Sequence, residues 1–492
     1  MNAIPKTIAV VGSGYVGLIT AVAFAKLGHR VVCIDTNEEK VAKLRRGVVP
    51  IYEPGVRELL RDGLAKKKLF FTTQYEDAFA VHQPDFVFLC VGTPPRADGS
   101  ADLKYVERAV VSIAKNLRKA AIVITKSTVP VGTGRHLQEL FRKHTHKPVS
   151  IVSNPEYLRE GKALYDFMNP DKIVIGSDDA AAARKVKRLY AIFKKPVLTS
   201  TLETSELAKY AQNAFLATEI SFANTLAEIA EKCNADIRTI VETIKLDKRV
   251  GPNAYLGAGP GYGGSCFPKD VKALINFSKR AGVRAPSLLQ AVERVNNGRI
   301  NGLVTKAEFL LGSLKGKRIG FWGLAFNAGT DDVRFSPAVS LARALLKKGA
   351  VITAYDPLAM PEAKRDLGSL ITYADDPYKA AKGMDMVVLA THWPQFKRIE
   401  FGHVKRLMRM PNVLDARNFL PAEKLQKLGF NYVGVGFPFI KGMHPSWLKI
   451  IAKDVKKLKR FSEHELRELR EGLAALGKEV TLAPVFAEET AE

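Results

Sequence analysis

One cysteine of the sequence stands among residues that suit a reactive thiol better than a packed one. The stretch GGSCFPKD (263–270) places Cys266 between glycines and a proline, with Lys269 and Asp270 close behind. Glycines recur from 259 to 264 and predict a loop that a ligand can approach closely. Lys269 and a nearby helix start are both expected to lower the pKa of the thiol, and the thiolate is the nucleophile. We therefore predict that Cys266 is a nucleophile.

Two further polar residues are spaced to work with this thiol. Lys209 and Asn213 lie four residues apart in an apolar pattern of helical spacing, which places them on one helix face. A lysine whose pKa is lowered can shuttle protons, and both side chains can donate to an oxyanion. Asp270 is expected to orient a water molecule or to pair with Lys209.

The first forty residues predict where a dinucleotide binds. The β-branched run IAVVG precedes Gly12, Gly14 and Gly17, a helical pattern follows, and the strand RVVCID ends at Asp35. The glycines permit a tight turn and the close approach of a pyrophosphate to a helix N-terminus. Asp35 follows Gly17 by eighteen residues, where a carboxylate bonds a ribose hydroxyl and repels a 2′-phosphate. This βαβ unit predicts NAD rather than NADP.

Three more apolar strands follow between residues 85 and 156, and each ends in a polar or proline-bearing loop. Ligands of open α/β sheets bind at the carboxyl ends of the strands. Thr93, Thr128 and Glu156 are therefore predicted to line one crevice.

A nicotinamide cofactor and a nucleophilic cysteine together allow a distinctive reaction. Hydride removal from a primary alcohol gives an aldehyde, the thiolate adds to the aldehyde, and the thiohemiacetal loses a second hydride. Water then hydrolyses the thioester to an acid. This four-electron oxidation uses two NAD and needs a base, donors to the oxyanion and an activated water molecule.

The rest of the chain predicts a long helix and a second sheet domain. The stretch from about 203 to 235 has apolar residues at helical spacing and no proline, and we expect it to join two domains and to pack against a second subunit. Beyond it, a strand–turn–helix–strand pattern returns, with Gly320 and Gly323 at the turn and Asp356 echoing Asp35. The fold class is therefore α/β, with two doubly wound Rossmann-like domains joined by a long central helix.

The expected domains are a dinucleotide-binding domain at 1–202, a helical domain with the cysteine loop at 203–312, a second sheet domain at 313–440 and a basic tail at 441–492. The second glycine turn lacks the complete fingerprint. The second sheet domain therefore suits a nucleotide or a nucleotide sugar better than a second dinucleotide.

Composition narrows the class of protein. Of the 492 residues 47% are hydrophobic, which is enough for several cores, and no apolar run approaches the ~18 residues of a membrane span. The start of the chain leaves no room for a signal peptide, so we expect a cytoplasmic protein. The net charge of +25 is expected to be a solvated basic surface, because no nucleic-acid-binding motif organises it.

The cysteines give no metal or disulfide pattern. The chain has four, and none forms a CxxC pair, so a zinc site or a disulfide framework is not expected. Cys33, Cys90 and Cys233 lie in strand or helix patterns, and we expect them to be buried packing residues.

The order of the motifs resembles that of the UDP-glucose 6-dehydrogenases. The matching stretches are GSGYVGL, CVGTPPRADGSADL, KSTVPVGTG, NPEYLREG, ELAKYAQNAFLATEISFANTLAEI, LDKRVGP, PGYGGSCFPKD, LAFNAGTDDVRFSPA and LDARN. The resemblance covers roughly residues 5–440 and favours the UDP-glucose branch over its GDP-mannose and UDP-N-acetylmannosamine relatives. It implies NAD as cofactor, UDP-glucose as substrate, and a homodimer or higher homo-oligomer through the central helix.

The resemblance also implies roles for individual residues. The catalytic residues that it implies are Cys266 as nucleophile, Lys209 in acid/base and oxyanion duty, Asn213 on the oxyanion, Asp270 with Lys209 on the water, and Thr128 and Glu156 in the hydrogen-bond network. The cofactor residues that it implies are Gly12, Gly14, Tyr15, Val16, Gly17, Asp35, Lys40, Thr93, Thr128, Glu160, Lys269 and Arg334. The substrate residues that it implies are Glu156, Tyr157, Leu158, Arg159, Glu160, Lys209, Asn213, Arg249 across the dimer interface, Tyr255, Leu256, Gly257, Ala258, Gly259, Gly263, Asn327 and Arg417.

One position departs from the family pattern. The family usually has LAFKPGTDD, with a lysine that contacts the substrate, whereas this chain has Asn327 and Ala328 there. The lost charge predicts a weaker hold on the uridine diphosphate, or compensation by a nearby Lys or Arg.

Two other functions stay open at the level of the sequence. The first is oxidation at C6 of another sugar nucleotide, GDP-mannose or UDP-N-acetylmannosamine, because the side chains around 255–262 and at 249 decide the sugar. The second is a non-catalytic Rossmann protein that binds nucleotides or nucleic acid. The joint presence of Cys266, Lys209, Asn213 and Asp270 argues against it, since a binding protein needs none of them.

Overall fold

The structure is a computed structural model that describes residues 4–283 and 286–437. The basic tail predicted at 441–492 lies outside the described residues. Among the helices of the described part, none combines the length and the apolarity that a membrane span requires.

The first half of the chain forms an eight-stranded sheet. Its strands are β1 (Thr7–Val11), β2 (Arg30–Ile34), β3 (Leu69–Thr72), β4 (Phe86–Leu89), β5 (Ala121–Thr125), β6 (Val149–Ser153), β7 (Ile173–Gly176) and β8 (Val197–Ser200). Its helices are α1 (Tyr15–Lys26), α2 (Glu38–Arg45), α3 (Val56–Ala65), α4 (Tyr75–Val81), α5 (Lys104–Asn116), α6 (Thr133–His144), α7 (Ala163–Met168) and α8 (Ala180–Leu189). The strand order is β3-β2-β1-β4-β5-β6-β7-β8, with β7 antiparallel to β6.

Both faces of this sheet are covered. Along β1, Ile8 and Val10 belong to one buried cluster, whereas Ala9 and Val11 belong to another on the opposite face. Such a strand is apolar at every position, as IAVV is, because it is buried on both sides. The order of strands reverses between β1 and β4, so the carboxyl ends of these strands open a crevice for a ligand.

A group of helices follows the first sheet. They are α9 (Leu202–Lys232), α10 (Ile237–Leu246), α11 (Phe267–Arg280) and α12 (Ser287–Leu311). The side chain of Thr201 caps α9 by accepting from the backbone N–H of Thr204. Helices α9, α11 and α12 pack around a small core that includes Ala217, Val271 and Val292.

A six-stranded sheet completes the described chain. Its strands are β9 (Arg318–Trp322), β10 (Val351–Tyr355), β11 (Thr372–Tyr373), β12 (Met386–Leu389), β13 (Asn412–Asp415) and β14 (Asn431–Val433). Its helices are α13 (Pro337–Lys347), α14 (Met360–Leu367), α15 (Pro377–Ala381), α16 (Phe401–Leu407) and α17 (Ala422–Lys427). The strands are parallel in the order β11-β10-β9-β12-β13-β14. The predicted fold class, two doubly wound sheets joined by a long helix, is confirmed.

The second glycine turn differs from its prediction. Gly320 lies inside β9 rather than in the turn, and the turn itself is made at Gly323, whose φ is +93°. Asp356 is fully buried and accepts from the backbone N–H groups of Leu324 and Ala325 at 2.7 and 3.1 Å. The Asp356 carboxylate is therefore hydrogen-bonded to the backbone of its own turn, and in this it differs from the ribose-binding role expected of Asp35.

The three packing cysteines do not all behave as predicted. Cys33 and Cys90 are buried, as expected. Cys233 is exposed, because α9 ends at Lys232 and places this residue at the helix cap. The expectation of burial for Cys233 was wrong.

Candidate active site

The first glycine turn leaves little room for side chains, except at one position. Gly12 has φ +97°, and a Cβ there would lie 2.7 Å from the carbonyl oxygen of Cys90. A Cβ on Gly17 would collide with the carbonyl of Gly12. Gly14 faces open space, and α1 begins immediately after it with Tyr15 and Val16. The turn can thus present backbone N–H groups at the start of α1 to a pyrophosphate.

Asp35 is a fixed anion beside this turn. Its carboxylate accepts from the backbone N and the Oγ of Ser13 at 2.8 and 2.6 Å, and from Lys40 Nζ at 2.7 Å. Burial alone would raise the pKa of Asp35, but the hydrogen bonds from Lys40 and Ser13 outweigh it and hold the pKa below its usual range. These residues fit the ribose of NAD, and the negative charge disfavours a 2′-phosphate.

The predicted crevice forms where β4, β5 and β6 end side by side. Thr93 Oγ1 donates to the carbonyl of Thr128 at 2.9 Å, so the loops after β4 and β5 are in contact. Glu156 follows the neighbouring strand β6 and is buried, with Oε2 accepting from the backbone N–H of Leu158 at 2.6 Å.

The candidate catalytic residues form one chain of contacts across three elements. Lys209 Nζ on α9 lies 3.2 Å from Glu156 Oε1 and 3.4 Å from Asn213 Oδ1. Asn213 Nδ2 donates to Asp270 Oδ2 on α11 at 2.6 Å. Lys269 Nζ lies 2.5 Å from Asp270 Oδ1. The direct ionic partner of Asp270 is therefore Lys269, rather than the predicted Lys209.

The structure also corrects two expected ionisation states. Burial and, to a smaller extent, Glu156 raise the pKa of the Cys266 thiol, Lys209 and Lys269 oppose them, and the net pKa is about 11. Burial lowers the pKa of Lys209, but the neighbouring Glu156, Cys266 and Asp270 reverse the effect and raise it. Burial likewise raises the pKa of Glu156, and Lys209 brings it below its usual range. The free site therefore holds a Lys209–Glu156 ion pair and a neutral thiol.

Two glycines of the cysteine loop are packed against another segment of the chain, with no space for a side chain. A Cβ on Gly264 would lie 2.7 Å from the ring of Phe326, and one on Gly263 would collide with the carbonyl of Phe335. Phe326 and Phe335 belong to the segment after β9, so the cysteine loop packs against the second sheet domain. The sequence predicted that a ligand approaches these glycines closely, whereas at Gly263 and Gly264 it is this protein segment that does so.

The loop that contains Gly259 is held next to Arg417. Asn224 Oδ1 accepts from the backbone N of Gly259 at 2.8 Å, and Arg299 Nε donates to its carbonyl at 3.1 Å. A Cβ on Gly259 would lie 3.0 Å from the carbonyl of Ala416. Arg417 donates to the carbonyls of Ala390 and Phe326 at 2.9 and 3.0 Å, and burial lowers its pKa to about 10. In this loop Leu256 is buried, Ala258 is half-buried, and Tyr255 and Gly257 are exposed.

The loop after β6 reaches the cysteine loop and the second sheet domain. Glu160 Oε1 accepts from Ser265 Oγ at 2.8 Å and lies 3.5 Å from Arg334 Nη2. Lys209 Nζ lies over the ring of Tyr157, 5.0 Å from its centroid. Arg159, which was predicted to bind substrate, forms a 2.6 Å ion pair with Asp166.

Two predicted substrate residues lie at the edge of this arrangement. The Arg249 side chain is 89% exposed and pairs with Asp247, so it does not join the cluster within this chain. Asn327 is half-buried next to Phe326, whose carbonyl accepts from Arg417. Arg417, which is itself expected to bind substrate, is thus a cation held close to this segment.

Several residues that hold the site have no recognisable signal in the sequence. The Tyr15 hydroxyl donates to the buried carboxylate of Glu53, and the backbone N of Gly161 donates to Glu53 Oε2 at 2.8 Å. Glu53 thereby fixes the end of the loop that contains Glu156 and Glu160. Glu53, like Asn224 and Arg299, lies in a segment remote from its partner, so local spacing could not reveal it.

Comparison with known proteins identifies relatives along most of the chain. Models of the UDP-glucose/GDP-mannose dehydrogenase family match in three parts: the NAD binding domain over residues 6–194, the central domain over 203–298 and the UDP binding domain over 320–422. UDP-glucose 6-dehydrogenase TuaD of Bacillus subtilis (strain 168) is 42% identical over 443 residues, which cover 90% of this chain and 95% of TuaD.

Two solved structures resemble the fold. A UDP-glucose dehydrogenase from the hyperthermophilic archaeon Pyrobaculum islandicum has 41% sequence identity and a TM-score of 0.83, covering 88% of this chain and 98% of its own. A UDP-D-ManNAc dehydrogenase from Pyrococcus horikoshii has 28% sequence identity and a TM-score of 0.75, and the match covers 87% of this chain and 99% of the other.

Proposed function

The chain belongs to the UDP-glucose/GDP-mannose dehydrogenase family, and we propose that it oxidises UDP-glucose to UDP-glucuronate with two NAD. One observation carries the proposal. A contact chain runs from Glu156 through Lys209 and Asn213 to Asp270, and its charged members act electrostatically on the Cys266 thiol. A thiol in this setting is needed for oxidation past the aldehyde, and a simple alcohol dehydrogenase has no use for it.

The dinucleotide turn holds NAD through Gly14, the start of α1 and Asp35, and the cofactor when bound supplies the hydride acceptor for both oxidation steps. Glu156 is the ionised carboxylate that takes the proton of the C6 hydroxyl, because its pKa is held low by Lys209. Lys209 remains a cation and donates to the developing oxyanion.

Asn213 has one amide hydrogen left for the oxyanion. Its Oδ1 accepts from Lys209, and one Nδ2 hydrogen is donated to Asp270. An amide carries two such hydrogens, so the second can point at the substrate oxygen. The Asp270 contact fixes the amide in this orientation, and the amide thus stabilises the tetrahedral states before and after the thioester.

Cys266 performs the covalent step. Its thiolate forms the C–S bond to the aldehyde carbon, and loss of a second hydride leaves a thioester. Glu156 releases the proton of the C6 hydroxyl to solvent before hydrolysis. A water molecule next to Glu156 then gives up a proton to the ionised carboxylate and attacks the thioester carbon, which releases the acid and the cysteine thiolate.

The second sheet domain and the Gly259 loop hold the nucleotide sugar. The half-buried side chain of Arg417 lies beside Gly259, just after the carboxyl end of β13, where ligands of such sheets bind. The Asp356 carboxylate is occupied by its own turn, which supports a nucleotide sugar rather than a dinucleotide here. The higher identity to the UDP-glucose enzymes than to the UDP-D-ManNAc enzyme favours glucose as the sugar.

A stripe of exposed apolar residues along α9 supports a homodimer. Leu207, Phe215, Phe222 and Ile229 are 42% to 62% exposed and recur at intervals of eight, seven and seven residues. A seven-residue repeat keeps one helix face toward a partner, and exposed apolar residues in such a row mark an interaction surface. We propose that the same helix of a second copy covers the stripe.

The organisation of the chain follows from the same proposal. The boundaries proposed above, 1–202, 203–312 and 313–440, assign NAD to the first unit, the cysteine loop and the dimer helix to the second, and the nucleotide sugar to the third. Because the reaction needs a reduced Cys266, we place the enzyme in the cytoplasm.

The test is the number of NADH formed per UDP-glucose consumed, in the purified protein and in Cys266→Ser. Two NADH per sugar and a collapse of turnover in the variant are expected. One NADH per sugar would identify a simple alcohol dehydrogenase. Turnover of GDP-mannose or UDP-N-acetylmannosamine in place of UDP-glucose would assign another sugar nucleotide, and no NADH with any of the three would support a protein that only binds.

A further inference from the structure

Ser265 lies between the Cys266 thiol and a buried carboxylate. Its Oγ donates to Glu160 Oε1 at 2.8 Å and lies 3.5 Å from Cys266 Sγ. A hydroxyl group has one hydrogen, and here that hydrogen is used on Glu160. The thiol is therefore the donor in the contact between Cys266 and Ser265. The two hydrogen bonds run in one direction, from sulfur to hydroxyl to carboxylate.

The surroundings of Glu160 favour the protonated form of its carboxyl group. Its Oε2 is buried and has no hydrogen-bond partner among the residues that the structure describes. Asp332 lies beside it and is paired with Arg334 at 2.6 Å. Burial and the adjacent Asp332 carboxylate raise the pKa of Glu160 to about 8, whereas Arg334 outweighs burial and keeps the pKa of Asp332 low. A proton taken up by this pair of carboxylates therefore resides on Glu160, which is ionised and able to accept it above about pH 8.

The other acidic groups that act on the thiol each form an ion pair with a lysine. Glu156 from the loop after β6 pairs with Lys209 of α9, and Asp270 of α11 pairs with Lys269. The Tyr15 hydroxyl, which is close enough to Glu160 to be affected by its charge, donates to the Glu53 carboxylate. Glu160 is thus the carboxylate in hydrogen-bond connection with the thiol through one hydroxyl.

We propose that Ser265 and Glu160 form the proton relay that activates Cys266, which rests on the proposed role of this cysteine as nucleophile. The thiol proton passes to Ser265 Oγ while the Ser265 hydroxyl proton passes to Glu160 Oε1. The products are a thiolate and a neutral carboxylic acid, the serine remains a neutral hydroxyl, and no electrons change hands.

After the shift, the Ser265 O–H points at the thiolate and stabilises it by a charge-assisted hydrogen bond. The thiolate is then free to form the C–S bond to the aldehyde. When water later releases the sulfur from the thioester, the relay runs in reverse and the proton returns from Glu160 to Cys266.

The relay is assembled from all three parts of the fold. Glu160 comes from the loop after β6, Ser265 from the loop before α11, and Asp332 and Arg334 from the segment after β9. The Cβ position of Gly161 lies 2.6 Å from the carbonyl of Gly329, so the first and last of these segments are packed backbone to backbone. Activation of the thiol thus depends on the second sheet domain being in place.

The test is the rate at which iodoacetamide alkylates Cys266 between about pH 6 and pH 10, in full-length protein without any sugar nucleotide. The reaction is followed by mass on the peptide that carries Cys266, because the exposed Cys233 also reacts. We expect Ser265→Ala to react about tenfold more slowly above about pH 8, where Glu160 is ionised, with its titration curve displaced upward by about one pH unit. Ser265→Thr, which keeps the hydroxyl, should restore the wild-type curve.

A matched control removes a buried serine hydroxyl elsewhere. Ser221 Oγ on α9 donates to the carbonyl of Val292 at 3.2 Å, and Ser221→Ala should leave the curve unchanged. An unchanged curve in Ser265→Ala, or a Ser265→Thr variant that behaves like alanine, would overturn the relay. Because alkylation needs no substrate, a wild-type protein that fails on UDP-glucose while Ser265→Ala reacts slowly would contradict the proposed function and leave the relay standing.

Discussion

Lys209 Nζ lies 3.2 Å from Glu156 Oε1, and the two side chains are only 5% and 6% exposed. An ion pair this deeply buried contributes little net stability, because both charges lose their water. Removing one partner, by contrast, leaves an uncompensated charge in the interior. The pair is therefore better explained by the reaction, which needs an ionised carboxylate and a cation at one place.

The first prediction concerns Glu156→Gln. We expect kcat for UDP-glucose to fall by about 100-fold or more, since the general base is lost, with little change in KM. Asp62→Asn, which alters a surface pair with Lys66 at 2.8 Å, is the control and should leave kcat unchanged. A Glu156→Gln enzyme with wild-type kcat would exclude Glu156 as the base.

The same pair predicts how stability depends on pH. The folded-state pKa of Glu156 lies below its usual value near 4.5, so its contribution is present above that value and is lost as the pH falls through the folded pKa. The loss of melting temperature on acidification should therefore be smaller in Glu156→Gln than in wild type, as followed by thermal unfolding from about pH 6 to pH 3. An equal loss of melting temperature in the two proteins would contradict the lowered pKa of Glu156.

The second prediction concerns cofactor choice. Asp35→Ala removes the carboxylate that holds Ser13 and Lys40, and frees the Lys40 ammonium. We expect KM for NAD to rise by about tenfold and turnover with NADP to appear, because the lysine can then attract a 2′-phosphate. Initial rates with both cofactors measure this, with Asp62→Ala as a control. Unchanged preference for NAD in Asp35→Ala would show that Asp35 does not contact the ribose.

The third prediction concerns the departure from the family pattern at Asn327. Asn327→Lys places an ammonium next to Phe326, whose carbonyl accepts from Arg417 at 3.0 Å. A charge-assisted contact to the diphosphate should lower KM for UDP-glucose by a few-fold to about tenfold. Asn301→Lys on the exposed side of α12 adds the same charge elsewhere and should leave KM unaltered. An unchanged or higher KM in Asn327→Lys would count against a substrate contact at this position.

The fourth prediction concerns the stripe on α9. Phe222→Glu introduces a charge in the middle of the exposed apolar row and should convert a dimer into a monomer, as measured by light scattering. Leu370→Glu changes an apolar residue that is 60% exposed on the second sheet domain, and should leave the molar mass as it is. A wild-type monomer, or a Phe222→Glu protein of unchanged mass, would place the subunit contact elsewhere or remove it.

Elements with a strong local signal were predicted well. The turn at Gly12 has a positive φ, and a Cβ at this position would lie 2.7 Å from the carbonyl oxygen of Cys90. The uninterrupted apolar run of β1 matches its burial on two faces. The helix predicted from about 203 to 235 is observed from Leu202 to Lys232. Cys233 shows the limit of such patterns, because they place a helix end only to within a few residues and this cysteine fell just outside.

Apolar periodicity and glycine turns depend on neighbouring residues, so the order of residues is enough to predict which chemical groups are present and in which elements they lie. The charge and the pairing of these groups follow from three-dimensional packing. Cys266, Lys209 and Glu156 come from three separate segments, and only their packing shows that the thiol is neutral and the lysine charged. Desolvation and Coulomb interactions depend on the distance between groups in space, and that distance is set by the whole fold.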